Sequence, residues 1–159
     1  MSKSCLHLGC GGDLKQSTPE EKWINIDIHP PFDLQHDLRN PLPFEDSSVD
    51  KIYSYDVIQH FSRKEWKLIK KDWIRVLKPK GILNIGCWNF IWVLKEFLAH
   101  PDDAYAMQRI YAGQGDEFDY FKNGFTYEKL VADLEEEGMT NFIRKPEIDF
   151  FIDIICEKF

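Results

Sequence analysis

The sequence predicts an α/β protein built on an open, doubly wound, mostly parallel sheet, and three observations carry that prediction. An apolar run, Cys5-Leu6-His7-Leu8, breaks off into the glycine turn Gly9-Cys10-Gly11-Gly12-Asp13 close to the start of the chain. A second short run, Trp23-Ile24-Asn25-Ile26, ends in the carboxylate of Asp27. Helical and extended patterns then alternate, as parallel strands with crossover helices require. Strand, glycine turn, strand and acidic tip together form a nucleoside-binding half-site. Glycine permits positive φ and a close backbone approach. An ionised carboxylate is a two-oxygen acceptor suited to a pair of ribose hydroxyls.

Residues 4–8 read as the first strand, apolar as a strand buried on both faces must be. The segment 14–22 is polar and interrupted by Pro19, which truncates the first helix to a turn or two. Residues 23–28 form a second strand, stopped by His29-Pro30-Pro31, and 32–38 hold a short third strand with Asp37 at its tip. A loop over 42–50 feeds the fourth strand, 51–55. Ser62-Arg63-Lys64-Glu65 is a capping box, and Trp66, Ile69, Trp73, Val76 and Leu77 then recur at helical spacing as core. Lys78-Pro79-Lys80-Gly81 ends that helix before a fifth strand, 82–87. Helices are predicted over 90–99, with Phe90, Val93, Leu94, Phe97 and Leu98 on one side, and over 104–112. The segment 113–125 is a polar, aromatic, glycine-punctuated loop, long enough inside a compact domain to suggest function. Thr126 caps a helix to Glu137, with Tyr127, Leu130, Val131 and Leu134 inward, and Gly138 closes it. Strands near 141–145 and 149–157 complete the sheet. One domain spans 1–159, with 88–125 as a lid or substrate segment.

Hydrophobic residues at 43% and aromatics at 14% support a real core and exclude disorder. The formal charge of −7 argues against a nucleic-acid partner, which needs a basic footprint. Lys64, Lys67, Lys70 and Lys71 share one helix and read as its solvated face. Cys5, Cys10, Cys87 and Cys156 form no C-x-x-C pair and read as buried or loop thiols in a reducing compartment. No leader pattern opens the chain, and runs such as 90–94 fall far short of a membrane span, so a soluble cytoplasmic protein is expected. Asp46, Asp50 and Asp56 are scattered and resemble no metal triad.

A dinucleotide fingerprint beginning at Gly9 needs Gly or Ala at position 14, where Leu14 stands, and no P-loop lysine follows. The half-site therefore suits an adenosine without a pyrophosphate. On these residues the chain resembles the class I S-adenosylmethionine-dependent methyltransferases, especially small bacterial ones of the methyltransferase type 11-like kind. Their Rossmann-like sheet has about seven strands, the last antiparallel. Their first motif reads apolar-Asp-apolar-Gly-x-Gly-x-Gly; here His7 replaces the acid and Asp13 the third glycine. Two more runs match the family, Leu42-Pro43-Phe44 leading to Ser48-Val49-Asp50, and Arg75-Val76-Leu77-Lys78-Pro79-Lys80-Gly81-Ile82-Leu83.

The resemblance implies S-adenosyl-L-methionine as cofactor. It is held by the turn Gly9-Cys10-Gly11 with His7 beside it, by Asp27 on the ribose, and by the adjoining Ile28. Asp37 receives the adenine amine, and the backbone N–H of Leu38 meets a ring nitrogen. Ser54 and Tyr55, at the tip of strand four, lie near the methionine end with Asp56 and His60. His60 is the candidate general base, because imidazole titrates near neutral pH. Asp56 steadies the ligand's ammonium group or orients the acceptor. Plainer readings stand beside these: histidines that hold loops, and an Asp37 that caps a turn before Arg39. Asp116, Asp119, Tyr120 and Lys122 are acceptor contacts or part of an exposed connection.

Methyl transfer to a small-molecule or glycan-type acceptor is the expected activity, the acceptor class resting on acidity and the want of a basic surface. The chain opens directly on strand one, so either 88–125 lids the site or the second subunit of a homodimer closes it. Two alternatives stay open: a non-catalytic module that binds an adenosyl ligand or a partner, and a protein methyltransferase.

Overall fold

The computed structural model describes residues 2–145 and 149–159. Short apolar runs set up seven strands: β1 (Lys3–Leu8), β2 (Glu21–Asp27), β3 (Leu34–Gln35), β4 (Val49–Tyr55), β5 (Leu77–Trp88), β6 (Met139–Arg144) and β7 (Phe151–Lys158). They form one sheet in the order β3-β2-β1-β4-β5-β7-β6. The first five run parallel, and β7 is antiparallel to both β5 and β6. Strand order reverses where β1 pairs with β4, so a crevice opens beyond their carboxyl ends.

Four helices, α1 (Arg63–Val76), α2 (Phe90–Ala99), α3 (Ala104–Tyr111) and α4 (Tyr127–Glu135), and a 3-10 turn at Ile58–His60 complete the described elements. The predicted capping box is formed: Ser62 Oγ accepts from the Glu65 amide at 3.3 Å, and Glu65 Oε2 accepts from the Ser62 amide at 2.7 Å. Ser62→Ala should therefore cost about 1 kcal/mol, read as a lowered melting temperature.

One sheet face supplies Leu6, Leu8, Ile26, Ile52, Leu83, Ile85, Ile152 and Ile154, and α1 and α4 cover it with Trp66, Ile69, Trp73, Leu130 and Leu134. Lys70, expected among solvated lysines, is buried in the seam between these helices. Its ammonium donates to the Asp133 carbonyl and to Glu136 Oε2, both at 2.8 Å, which makes burial of the charge tolerable.

The first crossover is shorter than a truncated helix: among the described residues, none between β1 and β2 is helical. The segment 13–20 runs without regular structure instead, pinned where the Lys15 amide donates to Asn25 Oδ1 at 2.8 Å. The sheet face on that side keeps half-buried rings, with Trp23 edge-on to Tyr53, and Tyr53 stacked on Tyr55 at 4.3 Å between centroids. The accessible surface, 9004 Å², is larger than the about 8,300 Å² expected for a chain of this mass.

Two elements differ from expectation. β5 begins at Leu77, which pairs with Val49 before Lys80, at φ 66°, turns the chain and pairing resumes between Ile82 and Lys51. In α2 only Val93 is buried, and Leu94 and Leu98 remain 38% and 78% exposed, with no further layer over that side among the described residues.

Candidate active site

The glycine turn is shaped by contacts on both sides. Gly9 and Gly11 take φ of +68° and +48°. A Cβ on Gly9 would stand 2.2 Å from Val57 Cγ2, so glycine here lets the turn pack on the segment after β4. Around the place of a Gly11 Cβ nothing lies within 4 Å, so the backbone there stays approachable from the cleft. Asp27, at the end of β2, ties the turn together: Oδ2 accepts from the Gly11 amide at 2.8 Å and Oδ1 from the His29 amide at 3.0 Å.

A cavity of about 290 Å³ lies beyond these strand ends. Its wall takes Gly9, Gly11, Asp27, Ile28, Asp37 and Leu38 from the tips of β1 to β3, and Asp56, Val57, His60 and Phe61 from the segment after β4. The long loop closes over it. Phe118 lies under the Arg39 guanidinium at 4.6 Å, Asp116 pairs with His29 Nε2 at 3.0 Å, and the Lys122 amide donates to the Gln59 carbonyl at 2.8 Å. The segment 113–125 is thus a fastened roof.

His60 Nδ1 lies 3.0 Å from the Phe118 carbonyl. A carbonyl can only accept, so Nδ1 carries hydrogen and the neutral ring keeps its lone pair on Nε2. Asp56 follows β4 at φ 60° and accepts from the Gln59 amide group. Desolvation among its neighbours pushes the Asp56 carboxyl above its ordinary value. The folded state therefore favours the protonated form, and stability from this group is lost as pH rises from the ordinary carboxylate range through the folded value. Asp56→Asn should flatten that part of the pH–stability curve, measured as melting temperature across that interval.

Asp37 is engaged more fully than expected. Oδ1 accepts from the Arg39 amide and Nε, both at 2.9 Å, while Oδ2 accepts from Nε at 3.0 Å and Nη2 at 2.7 Å. The guanidinium holds this carboxyl below its ordinary value. An adenine amine at Asp37 would have to displace one of these donors.

Four other candidates stand behind the cavity wall. His7 is buried edge-on against Tyr53 at 5.0 Å, and its Nδ1 has no hydrogen-bond partner among the described residues. Cys10 is buried, with Sγ 3.5 Å from the Pro31 carbonyl. The Ser54 hydroxyl donates to the Leu8 carbonyl at 3.1 Å, and Tyr55 reaches Asn84 Oδ1 at 2.7 Å and the Asp153 carboxylate. Their side chains brace the sheet.

A second cavity, about 400 Å³, shares Asp56, His60 and Asp119 with the first and is walled further by Trp88, Arg109 and Phe121. Arg39, Phe118, Trp88 and Arg109, not singled out as site residues in the sequence, come from separate loops, from α3 and from the end of β5. The expected lid or substrate segment over 88–125 spans Trp88, Arg109 and Phe118 without naming them.

Residues 6–85, half of the chain of 159, match a family model described as a methyltransferase domain. The comparison with curated proteins gives no match. Among solved structures, a protein of Bordetella parapertussis is 16% identical with a TM-score of 0.67, covering 99% of this chain and 62% of its own. The CurJ carbon methyltransferase is 17% identical with a TM-score of 0.71, covering 98% of this chain and 48% of that one, so the chain spans less than two thirds of either. A SAM-dependent methyltransferase of Methanosarcina mazei is 19% identical with a TM-score of 0.67, covering 99% and 92%. The family match runs from β1 into β5 and so takes in the strands whose tips build the first cavity. By that match the chain belongs to the class I S-adenosylmethionine-dependent methyltransferases, and S-adenosylmethionine is its cofactor.

Proposed function

We propose that this chain transfers a methyl group to a small-molecule or glycan-type acceptor seated in the second cavity. The observation that supports this reading is the meeting of two cavities at Asp56, His60 and Asp119. The first cavity suits the adenosyl ligand. The space a Gly11 Cβ would fill is open, Asp27 offers acceptors to ribose hydroxyls, and Ile28, Leu38, Val57 and Phe61 give apolar walls to a base. When bound, S-adenosylmethionine supplies an electrophilic methyl group on a cationic sulfur.

The protein's part is alignment, exclusion of water and proton removal. Phe118 and its loop exclude water. His60 Nε2, holding a lone pair at the shared rim, takes the proton of an acceptor hydroxyl or amine. Asp56 orients the acceptor from the end of β4.

Titration calorimetry with S-adenosylmethionine and S-adenosylhomocysteine should give single-site binding of both. Binding of neither would end the enzymatic reading. A non-catalytic module is the second reading, favoured by the non-helical segment 13–20, which leaves no helix N-terminus at the glycine turn. Labelled-methyl transfer from the cofactor to a lysate separates the readings: label in small molecules supports ours, label lost on protease treatment marks a protein acceptor, and no label with intact cofactor binding marks the module.

A further inference from the structure

The second cavity is chemically lopsided. Its acidic end is satisfied from within: Asp119 accepts from the Gly115 amide at 3.1 Å and the Gly113 amide at 3.3 Å, and Asp56 accepts from the Gln59 amide group. The basic end is not. Arg109 is half-buried on α3, with its guanidinium 5.2 Å from the Trp92 ring centroid and 5.9 Å from that of Trp88. Among the described residues no carboxylate pairs with it, in an acidic protein whose Arg39 and Arg75 both hold aspartates.

A guanidinium within cation–π reach of two indoles still presents its N–H donors as a fork that suits a planar, bidentate anion. A carboxylate fits that fork, and a charge-assisted pair in a partly desolvated cavity is stronger than one in water. The cavity's 400 Å³ falls in the size range of small-molecule sites, and Trp88 and Phe121 give it aromatic walls. We propose that the methyl acceptor is a small planar monocarboxylic acid. Arg109 binds its carboxylate, and its hydroxyl or amine points to the rim at His60 and Asp56. This rests on the transferase reading above and names the acceptor class for the same site.

The test is calorimetry on the chain saturated with S-adenosylhomocysteine, and again without it. The probes are benzoate, 4-hydroxybenzoate and indole-3-carboxylate, each paired with its neutral amide. At least one acid should bind about tenfold or more tighter than its amide, as loss of a charge-assisted hydrogen bond predicts. Arg109→Gln should abolish that preference while leaving S-adenosylhomocysteine affinity and melting temperature in place, and Arg109→Lys should restore part of it. Equal binding of acids and amides throughout the panel, no binding of any probe, or a preference that Arg109→Gln leaves intact would overturn the proposal. The two readings fail separately. S-adenosylhomocysteine binding without an acid preference removes only the acceptor class. An Arg109-dependent preference in a chain that binds no S-adenosylhomocysteine keeps the carboxylate site and removes the transferase.

Discussion

Gly9→Ala is expected to lower stability by about 2–5 kcal/mol, combining a left-handed backbone strained by a side chain with an overpacked contact. The two parts have different sources. The φ of +68° penalises any L side chain, and the new Cβ would lie 2.2 Å from Val57 Cγ2. A double-mutant cycle separates them. Val57→Ala removes the clashing methyl groups, so Gly9→Ala measured in that background should cost only the backbone share, about 1–2 kcal/mol. Chemical denaturation gives all four corners. If Gly9→Ala costs as much with Val57 truncated as with it present, the contact between the turn and the segment after β4 is not what demands glycine.

Asp27→Ala is expected to weaken S-adenosylhomocysteine binding by about a hundredfold, since two hydrogen bonds to a charged acceptor go at about 1.5–3 kcal/mol each, less the losses already shared with the free protein. The same carboxylate braces the Gly11 and His29 amides, so the variant also loosens the turn. Asp27→Asn tells the two effects apart. One amide oxygen can still meet one backbone N–H, while its NH₂ group no longer offers the second acceptor. Affinity unchanged in both variants would remove the ribose role from Asp27. A lowered melting temperature with unchanged affinity would leave Asp27 a purely structural residue.

Much of this architecture can be read from the chain because its signals are local. The capping box at Ser62, the apolar run of β1, and the glycine turn between β1 and β2 each depend on residues close in sequence. Lys70 shows where that reasoning stops. A helix pattern groups it with Lys67 and Lys71, but whether it faces water depends on Asp133 and Glu136 arriving from α4. The apolar side of α2 is visible as a stripe, yet no periodicity says whether a layer will cover it. At the site, Gly9, Gly11, Asp27 and Asp56 were legible because the fold class brings strand tips to the crevice. Phe118 and Arg39 were not, because a contact between two loops places them, and Arg109 was not, because the packing of α3 beside α2 and the end of β5 places it. Tyr120, an expected acceptor contact, lies 41% exposed and lines neither cavity.

The hydrogen bond from His60 Nδ1 to the Phe118 carbonyl links two events usually discussed apart. While the loop is down, the imidazole has one permitted tautomer and its basic nitrogen is assigned. Without the Phe118 carbonyl, the proton of the neutral ring could sit on either nitrogen. In the proposed reaction, where His60 serves as the base, one contact thus sets both the seat of the 113–125 loop and the nitrogen that keeps its lone pair.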